Sequence, residues 1–556
     1  MFLMIVGCYH TVISIMEGKI MKTVKVLVAA SMAAALLAGC GSKTDTDTFR
    51  FASELDIQGM DSTVVDDGMS YNAIHAITDG LTAVNDKGKT VPALAKSWDV
   101  SADGKTYTFH LKDAKWSNGD KVTANDFVYS WKRIIKNAGN YAYMLGDDGA
   151  SVKNASTLID LGPKATDEQM NTLGVKATDD KTLVVELNNK VPYFTDLMAF
   201  PCYFPQNEKF VEKCGKNYGT KPEYTLSNGA YTMTKWIKGN KATFTKNDKY
   251  YDAKAVKTKN LEMFLVQDPK TAAQNFDNGK VDYATINSTL VDKYKGKDTF
   301  TTFNEGFLFY LNLNFQVKTL ADKNVREALS YAINRKDLCE KVLKDGSRAA
   351  TGMVPSQLST SPAGKDFRDT AGVLVDYDVK KAQEYLDAAK KELGTDTITV
   401  DLLYGTDESP MDTMAEYLQG SFSKLKGLKV NMVATVKKDR IYNREANGNF
   451  QVVCTRWGPD YADPTTYLNL ATTDNSNNYG KYTSAKYDAL MEQIQKESDL
   501  TKRWDLMIQA EKVIMDDLAY VPVFEKGSAA LKAKNVKGLV QVPVGTPYTF
   551  KYVKLK

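Results

Sequence analysis

The sequence is poor in the side chains that most enzymes depend on. Histidine occurs three times in 556 residues, at His10, His75 and His110, which leaves little imidazole for a metal centre or a general base. No Ser-His-Asp arrangement, H-E-x-x-H helix or Gly-rich phosphate loop is present. The six cysteines fall at spacings that match no zinc pattern. Charge of one sign is lacking too: 72 Lys and Arg stand against 68 Asp and Glu, a net charge of +4. With no basic block or stripe, nucleic acid is not an expected partner. The 15 prolines are scattered, which excludes a Pro-rich linker. Neither a cofactor nor a metal site is expected.

Long apolar runs are confined to the N-terminus. "MKTVKVLVAASMAAALLAGC" occupies residues 21–40. Lys22 and Lys25 form a positive start, and a short apolar stretch follows, too short to span a bilayer. It ends in Leu37-Ala38-Gly39-Cys40, which resembles a bacterial lipobox. That resemblance implies cleavage before Cys40, a diacylglyceryl group on its sulfur, and a chain held on the outer face of the cell membrane. Residues 1–39 are then leader and signal peptide, and residues 40–48, a polar stretch, a flexible tether. Residues 1–20 lack a positive start and precede a complete signal, so translation is expected to begin at Met21. Of the remaining cysteines, Cys202, Cys214, Cys339 and Cys454 read as free thiols in a domain large enough to need no staples, with Cys202–Cys214 the one local pairing candidate.

Helical and strand patterns intermingle along the rest of the chain. "TYTFHL" and "KTLVVEL" alternate as strands. "GAYTMTKWIKGNKATFTKN" reads as a hairpin turning at Gly239-Asn240. "NVREALSYAINRKDLCEKVL" reads as one amphipathic helix, with Val325, Ala328, Leu329, Ala332 and Ile333 on one face. Asp378 is placed to cap the next helix, which leads into the strand "TITVDLLYG". "RWDLMIQAEKVIMDDLAYVPVF" reads as a long helix entering a short strand at residues 521–524. The fold class is therefore α/β. Two stretches, "FPCYFPQNEKF" and "FLFYLNLNFQ", read as crossings between lobes.

Residues 92–133, "PALAKSWDVSADGKTYTFHLKDAKWSNGDKVTANDFVYSWKR", resemble the signature of the family 5 extracellular solute-binding proteins of ABC importers. Further blocks agree: "SNGAY", "NDKYYDA", "VREALSYAINR" and "VPVF". Asp103-Gly104 and Asn118-Gly119 read as turns, and Trp98, Trp116 and Phe127 as core. The resemblance implies a two-lobed clamp of the type II, cluster C-like kind with an extra third domain, closing by hinge motion. It divides the chain into lobe I (residues 49–79, 206–308 and 522–556), an extra domain (80–205) and lobe II (309–521). The implied function is a monomeric, non-enzymatic receptor that hands oligopeptides to ABC permease and ATPase subunits.

The stretch "RWGPDYADPTTYL" resembles the oligopeptide binders' W-x-x-D-Y-x-[DE]-P-T-x-[FY]-L. By that resemblance Asp460 pairs with the ligand's α-ammonium group, Trp457 and Tyr461 line the site, and Pro459 and Pro464 stiffen the loop. A single fixed carboxylate suits a ligand whose one constant feature is a positive N-terminus. Asp463, directly before Pro464, reads as an Asx-type turn former. Asp66 beside Asp67, Tyr143 near Tyr141, and Asn312 correspond to further cleft positions. The sequence departs from the enteric members at Glu445 and Cys454, where those carry arginines, and Arg444 and Arg456 stand nearby.

Two other readings compete. Family relatives also take dipeptides, nickel–metallophore complexes or haem; nickel calls for imidazole, and only His75 and His110 follow the signal. A carboxylate-dependent hydrolase would pair Asp460 with Asp463 or Glu445, but two acids three residues apart in one loop do not define such a site. The start site has a direct check. N-terminal sequencing of the unprocessed precursor is expected to begin at Met21; finding Met1 to Ile20 there refutes it.

Overall fold

The computed structural model describes residues 46–85 and 89–556. Cys40, the lipobox, the start at Met21 and most of the tether lie outside them. Among the described residues no helix is long and apolar enough to cross a membrane.

Ten strands make the frame of one large mixed sheet: β1 (Thr48–Ser53), β2 (Tyr231–Ile237), β3 (Lys241–Lys246), β4 (Asn260–Leu265), β5 (Tyr283–Ile286), β6 (Phe300–Leu313), β7 (Ile398–Gly405), β8 (Leu428–Thr435), β9 (Val452–Trp457) and β10 (Tyr520–Lys532). Their spatial order is β8-β7-β9-β6-β10-β5-β1-β4-β3-β2, with the short strand Arg348–Ala349 added against β10. A separate antiparallel sheet runs Ala95–Val100, Thr106–Leu111, Thr182–Glu186, Val175–Asp179. The β2–β3 hairpin turns where expected: Ile237 pairs with Lys241, and Gly239 takes φ +74°, a conformation that favours glycine.

β6 and β10 hold the two halves of the large sheet together. Phe300 to Asn304 pair with Leu531 to Gly527 beside β5, and Leu308 to Asn312 pair with Glu525 to Tyr520 beside β9. Between these stretches the register shifts. Gly306 sits there at φ +81°, where an added Cβ would lie 1.8 Å from the Pro543 carbonyl oxygen. The alternation in "FLFYLNLNF" sorts side chains between two cores rather than between core and water. Phe309, Leu311 and Leu313 enter one, and Leu308 and Tyr310 the other, so residues 308–313 are all buried. That is the pattern of a strand covered on both faces.

A further core joins β1, the helix Gly68–Ile77, the small sheet and the hairpin β2–β3. The residues expected to form lobe I and the extra domain thus share apolar packing. The stretch 200–210 runs within it, with Pro201, Cys202, Tyr203 and Phe204 all buried. Trp116 and Phe127 are buried there, and the Trp116 Nε1 donates to Asp126 at 3.1 Å.

Two elements differ from the sequence reading. The helix expected through "NVREALSYAINRKDLCEKVL" stops at Tyr331; a new turn, Arg335–Asp337, starts after Asn334, whose side chain accepts from the Asp337 amide. The break buries the Arg335 guanidinium among carbonyl oxygens of Pro522 (2.7 Å), Ser330 (3.2 Å) and Asp376 (3.2 Å), which a straight helix would carry past. The strand expected at residues 521–524 extends to Lys532 because it continues as the crossing strand β10. The Asp378 cap is present, accepting from the Lys380 and Lys381 amides. Cys202, Cys214, Cys339 and Cys454 are free.

Glu511 is fully buried and takes both Arg368 terminal nitrogens at 2.6 and 2.7 Å and the Val354 amide at 2.8 Å. Removing one member of a buried pair leaves the other charge uncompensated. Glu511→Ala is expected to destabilise the protein by about 3–5 kcal/mol, read as a lower urea midpoint; an unchanged midpoint rules the pair out as structural.

Candidate functional site

The loop after β9 holds two aspartates in opposite environments. Asp463 is buried and fully paired: Arg503 binds it through two nitrogens at 2.6 and 3.0 Å. Its Oδ1 also accepts the Thr465 hydroxyl (2.6 Å) and amide (3.0 Å). These bonds make the expected Asx-type turn, and the Arg503 bridge pins that turn to the helix Leu500–Asp516. Against the cost of burial, the guanidinium and the hydroxyl hold the Asp463 carboxyl below its usual range.

Asp460 has no such partner. Among the described residues it forms no ion pair; its carboxylate accepts one hydrogen bond, from the Tyr143 hydroxyl at 2.8 Å. Tyr143 belongs to the turn Ala142–Leu145, 317 residues away in the chain. Around the pair stand Tyr141, stacked on Tyr143 at 5.8 Å, and Tyr71 and Phe200, each 5.2–5.3 Å from a neighbouring ring. Removed from bulk water with one neutral donor, the Asp460 carboxyl is pushed up to about 7 by burial, and the Tyr143 bond offsets only part of this. A carboxylate in an aromatic enclosure without a cation is unsatisfied in its charged form.

The neighbouring residues fix the loop. Tyr461 is 2% exposed and crosses into the core of the other half, where its ring stacks on Tyr193 at 4.1 Å and 4°. Asn475 reaches Asp148 at 3.3 Å, and the Gly545 amide donates to the Pro459 carbonyl at 3.2 Å. Trp457, half-buried at the end of β9 opposite Leu308, presents an indole N–H with no partner among the described residues.

The other expected positions are distributed differently. Asp66 is exposed, and Asn140 donates to it at 2.5 Å. Asp67 instead caps the helix Gly68–Ile77 through the Ser70 amide at 2.8 Å, which separates the two adjacent acids by role. Asn312 is buried in β6, four residues along the strand from Leu308, the partner of Trp457, or about 13 Å, and its Oδ1 has no partner among the described residues. Glu445 and Cys454 are buried, Glu445 against Arg440. Arg444 points outward to Asp439 at 3.3 Å. Arg456 faces Glu408 at 3.4 Å and lies over Phe307 at 4.6 Å. Lys437, which sequence reasoning did not single out, follows β8 by two residues; a lysine just past a strand carries no pattern of its own. His110 meets Asp99 at 2.8 Å on the surface and His75 stacks on Phe204. Among the described residues no cluster of three or more His, Cys, Asp or Glu is arranged to hold a metal ion.

Residues 89–479 match the profile described as bacterial extracellular solute-binding proteins, family 5, middle part. A dipeptide-binding protein of Lactococcus lactis subsp. cremoris is 35% identical over 543 residues, covering 94% of this chain and 97% of that one. The substrate-binding domain of an oligopeptide ABC transporter from Bacillus anthracis has a TM-score of 0.80 at 35% identity, covering 92% of this chain and 99% of that one. Listeria monocytogenes OppA bound to peptide has a TM-score of 0.79 at 33% identity with the same coverage.

The raised Asp460 carboxyl has a sign that can be checked. An unfolded aspartate ionises near its ordinary value of about 3.9, so between about pH 4 and 7 the folded chain binds the extra proton and stability falls as pH rises. The cost is absent below pH 4 and complete above about pH 8. Asp460→Asn keeps the Tyr143 bond and removes the charge. It is expected to stabilise the ligand-free protein by about 1–3 kcal/mol at pH 8 and to change little at pH 4, measured by urea unfolding; equal effects at both pH values refute it.

Proposed function

This chain belongs to the family 5 bacterial extracellular solute-binding proteins, and we propose that it captures peptides outside the cytoplasmic membrane and delivers them to the permease and ATPase subunits of an ABC importer. Its fold is the mixed α/β two-lobed clamp with an extra domain found in the solved relatives. The observation that carries the reading is Asp460, a half-buried carboxylate with a raised pKa, a tyrosine donor and no cation among the described residues. A peptide's α-ammonium group supplies the missing charge and three N–H donors. It supplies them whatever the peptide's sequence, and backbone hydrogen bonds can hold the rest as an added strand.

The surrounding residues have supporting roles. Trp457 offers an apolar wall and one free indole donor. Tyr461 acts from behind, fastening the loop to Tyr193 across the cleft, so that little ordering is left for the moment of binding. Asp66 and Tyr143 come from the lobe I and extra-domain side, and Asn312 supports β6 at a distance. In this reading lobe I is residues 49–79, 206–308 and 522–556, the extra domain 80–205, and lobe II 309–521. Cys40 carries a diacylglyceryl anchor, whose two acyl chains give stable attachment, and the receptor works as a monomer without turning its ligand over. What supports binding over hydrolysis is that both acids available as a partner for Asp460 are engaged, Asp463 by Arg503 and Glu445 by Arg440.

The test is isothermal calorimetry on stripped protein. Asp460→Ala is expected to weaken peptide binding by about 2–5 kcal/mol. An N-acetylated peptide should lose a comparable amount on the parent protein and nothing further on the variant. Because the carboxyl must ionise to receive the ammonium group, affinity should fall below pH 7 by up to about tenfold per unit. Equal binding of free and acetylated peptides excludes the Asp460 role.

A further inference from the structure

Four segments far apart in the chain meet at the end of the large sheet where β1 begins. β1 and β5 run parallel, with Phe51 opposite Tyr283, and β10 runs against β5, with Lys532 opposite Tyr283. The Asp282 amide donates to the Arg50 carbonyl at 2.8 Å, and the Ala533 amide to the Asp282 carbonyl at 2.9 Å. Ala533, Asp282 and Arg50 thus form one row at the ends of β10, β5 and β1. The Lys532 amide donates to the Thr299 carbonyl at 2.8 Å, which brings in the turn before β6. Val536-Lys537 pairs with Lys554-Leu555. The Thr258 hydroxyl, just before β4, donates to the Val553 carbonyl at 2.6 Å.

Residues 254–259, 293–297, 532–537 and 551–556 each hold three lysines and no acid. None is long enough to read as a basic block in the sequence; the fold adds them together. Some of these charges are answered by neighbours. Lys534 is paired with Asp298 at 2.6 Å, Lys293 with Asp277 at 3.0 Å and Lys551 with Asp252 at 2.8 Å. Lys257, Lys295, Lys297, Lys537 and Lys554 are exposed and make no ion pair among the described residues. Lys537 stands directly opposite Lys554 across their two-stranded ladder, where facing side chains begin about 5 Å apart and like charges destabilise. An anionic surface laid against this face offsets that repulsion.

We propose that this face lies against the anionic phospholipid headgroups of the membrane. The proposal rests on the reading of Cys40 as a lipid anchor. Phe49, which enters the sheet beside these segments, follows Cys40 by nine residues, a reach of no more than about 30 Å. A soluble polyanion has to be captured from outside, whereas the tether holds the bilayer at a high effective concentration. Headgroup phosphates present charge across the whole surface, and each lysine close to it adds to the attraction. That attraction acts within about one Debye length, about 8 Å at physiological salt, so it orients the receptor on the membrane as well as holding it. None of the peptide-site residues belongs to these four segments, and β1 runs away from this face toward Ser53 and the stretch bearing Asp66.

The experiment uses the full mature chain carrying Cys40→Ser, so that no acyl group contributes, and measures co-sedimentation with vesicles. Vesicles with about 30% phosphatidylglycerol should bind it at least tenfold more tightly than pure phosphatidylcholine at about 50 mM salt, and the preference should vanish near 300 mM. The triple variant Lys257→Glu, Lys537→Glu, Lys554→Glu should lose at least tenfold. The triple variant Lys391→Glu, Lys424→Glu, Lys486→Glu makes the same change in net charge at exposed lysines of lobe II and should keep the preference. Both should bind peptide as the parent does. Lys554→Glu alone places an acid opposite Lys537; it should fold at least as well as the parent and lose part of the binding, which keeps the test open if the first triple variant folds poorly. Equal binding to neutral and anionic vesicles overturns the proposal, and so does an equal loss in the two triple variants. Binding to soluble polyphosphate with no preference for anionic vesicles assigns the face to a soluble polyanion and overturns it too. The mass of the wild-type chain extracted from membranes reports the anchor separately. An acylated Cys40 whose serine variant ignores phosphatidylglycerol leaves the anchor standing and sinks the face; an unmodified Cys40 with vesicle binding intact sinks the anchor and leaves the face.

Discussion

The β6–β10 ladder is the constraint on which the rest of the molecule depends. These two strands run from one half of the large sheet into the other. Each end of the ladder is buried by a different set of helices, and the residues of β6 are divided alternately between two cores. Where the ladder passes between the halves it loses register, and Gly306 fits against the Pro543 carbonyl as no side-chain-bearing residue could. The loop bearing Asp460 hangs from β9, which pairs directly with β6 beside this irregularity.

Charge is handled in two ways, and the contrast separates scaffold from site. The buried pairs Arg368–Glu511 and Arg503–Asp463 are bidentate, and their acids also bind a backbone amide. Arg440 is shared between Glu408 and Glu445 and donates also to Thr455. Such pairs fix geometry, since breaking one leaves a bare ion inside the protein. Asp460 departs from this rule: its half-buried carboxylate accepts one neutral hydrogen bond and makes no ion pair among the described residues. Three residues apart in one loop, Asp463 is completed by Arg503 while Asp460 is met by the Tyr143 hydroxyl alone among the described residues.

Tyr461 and Tyr143 show how two distant segments converge on the Asp460 loop. One lies in the Asp460 loop and buries its ring in the opposite core; the other comes from the opposite side and donates its hydroxyl into the loop. The stack on Tyr193 removes freedom from the loop without using any of the Asp460 oxygens. Fixing the loop and bonding the Asp460 carboxylate are thereby left to different tyrosines.

Local chemistry was legible in the chain itself. Turns at Gly239, the cap at Asp378, the strand period of "TYTFHL" and the Asx role of Asp463 follow from backbone sterics and short-range hydrogen bonds, which depend on near neighbours alone. The family signature in residues 92–133 added the clamp fold and singled out Asp460. Other features needed the assembled molecule. The helix break at Asn334 follows from where the carbonyl oxygens of Pro522 and Asp376 come to stand around Arg335. The split between Asp66 and Asp67 follows from which one meets a helix amide and which one meets Asn140. Above all, whether an acid or a base is paired is a property of space: Arg503 lies 40 residues from Asp463 and Tyr143 lies 317 from Asp460. The sequence by itself determined the elements, the turns and the family, because those rest on local periodicity and on recurring motifs. Only the tertiary structure decided which charges are left without partners, because desolvation and pairing arise from chain segments that meet only when folded.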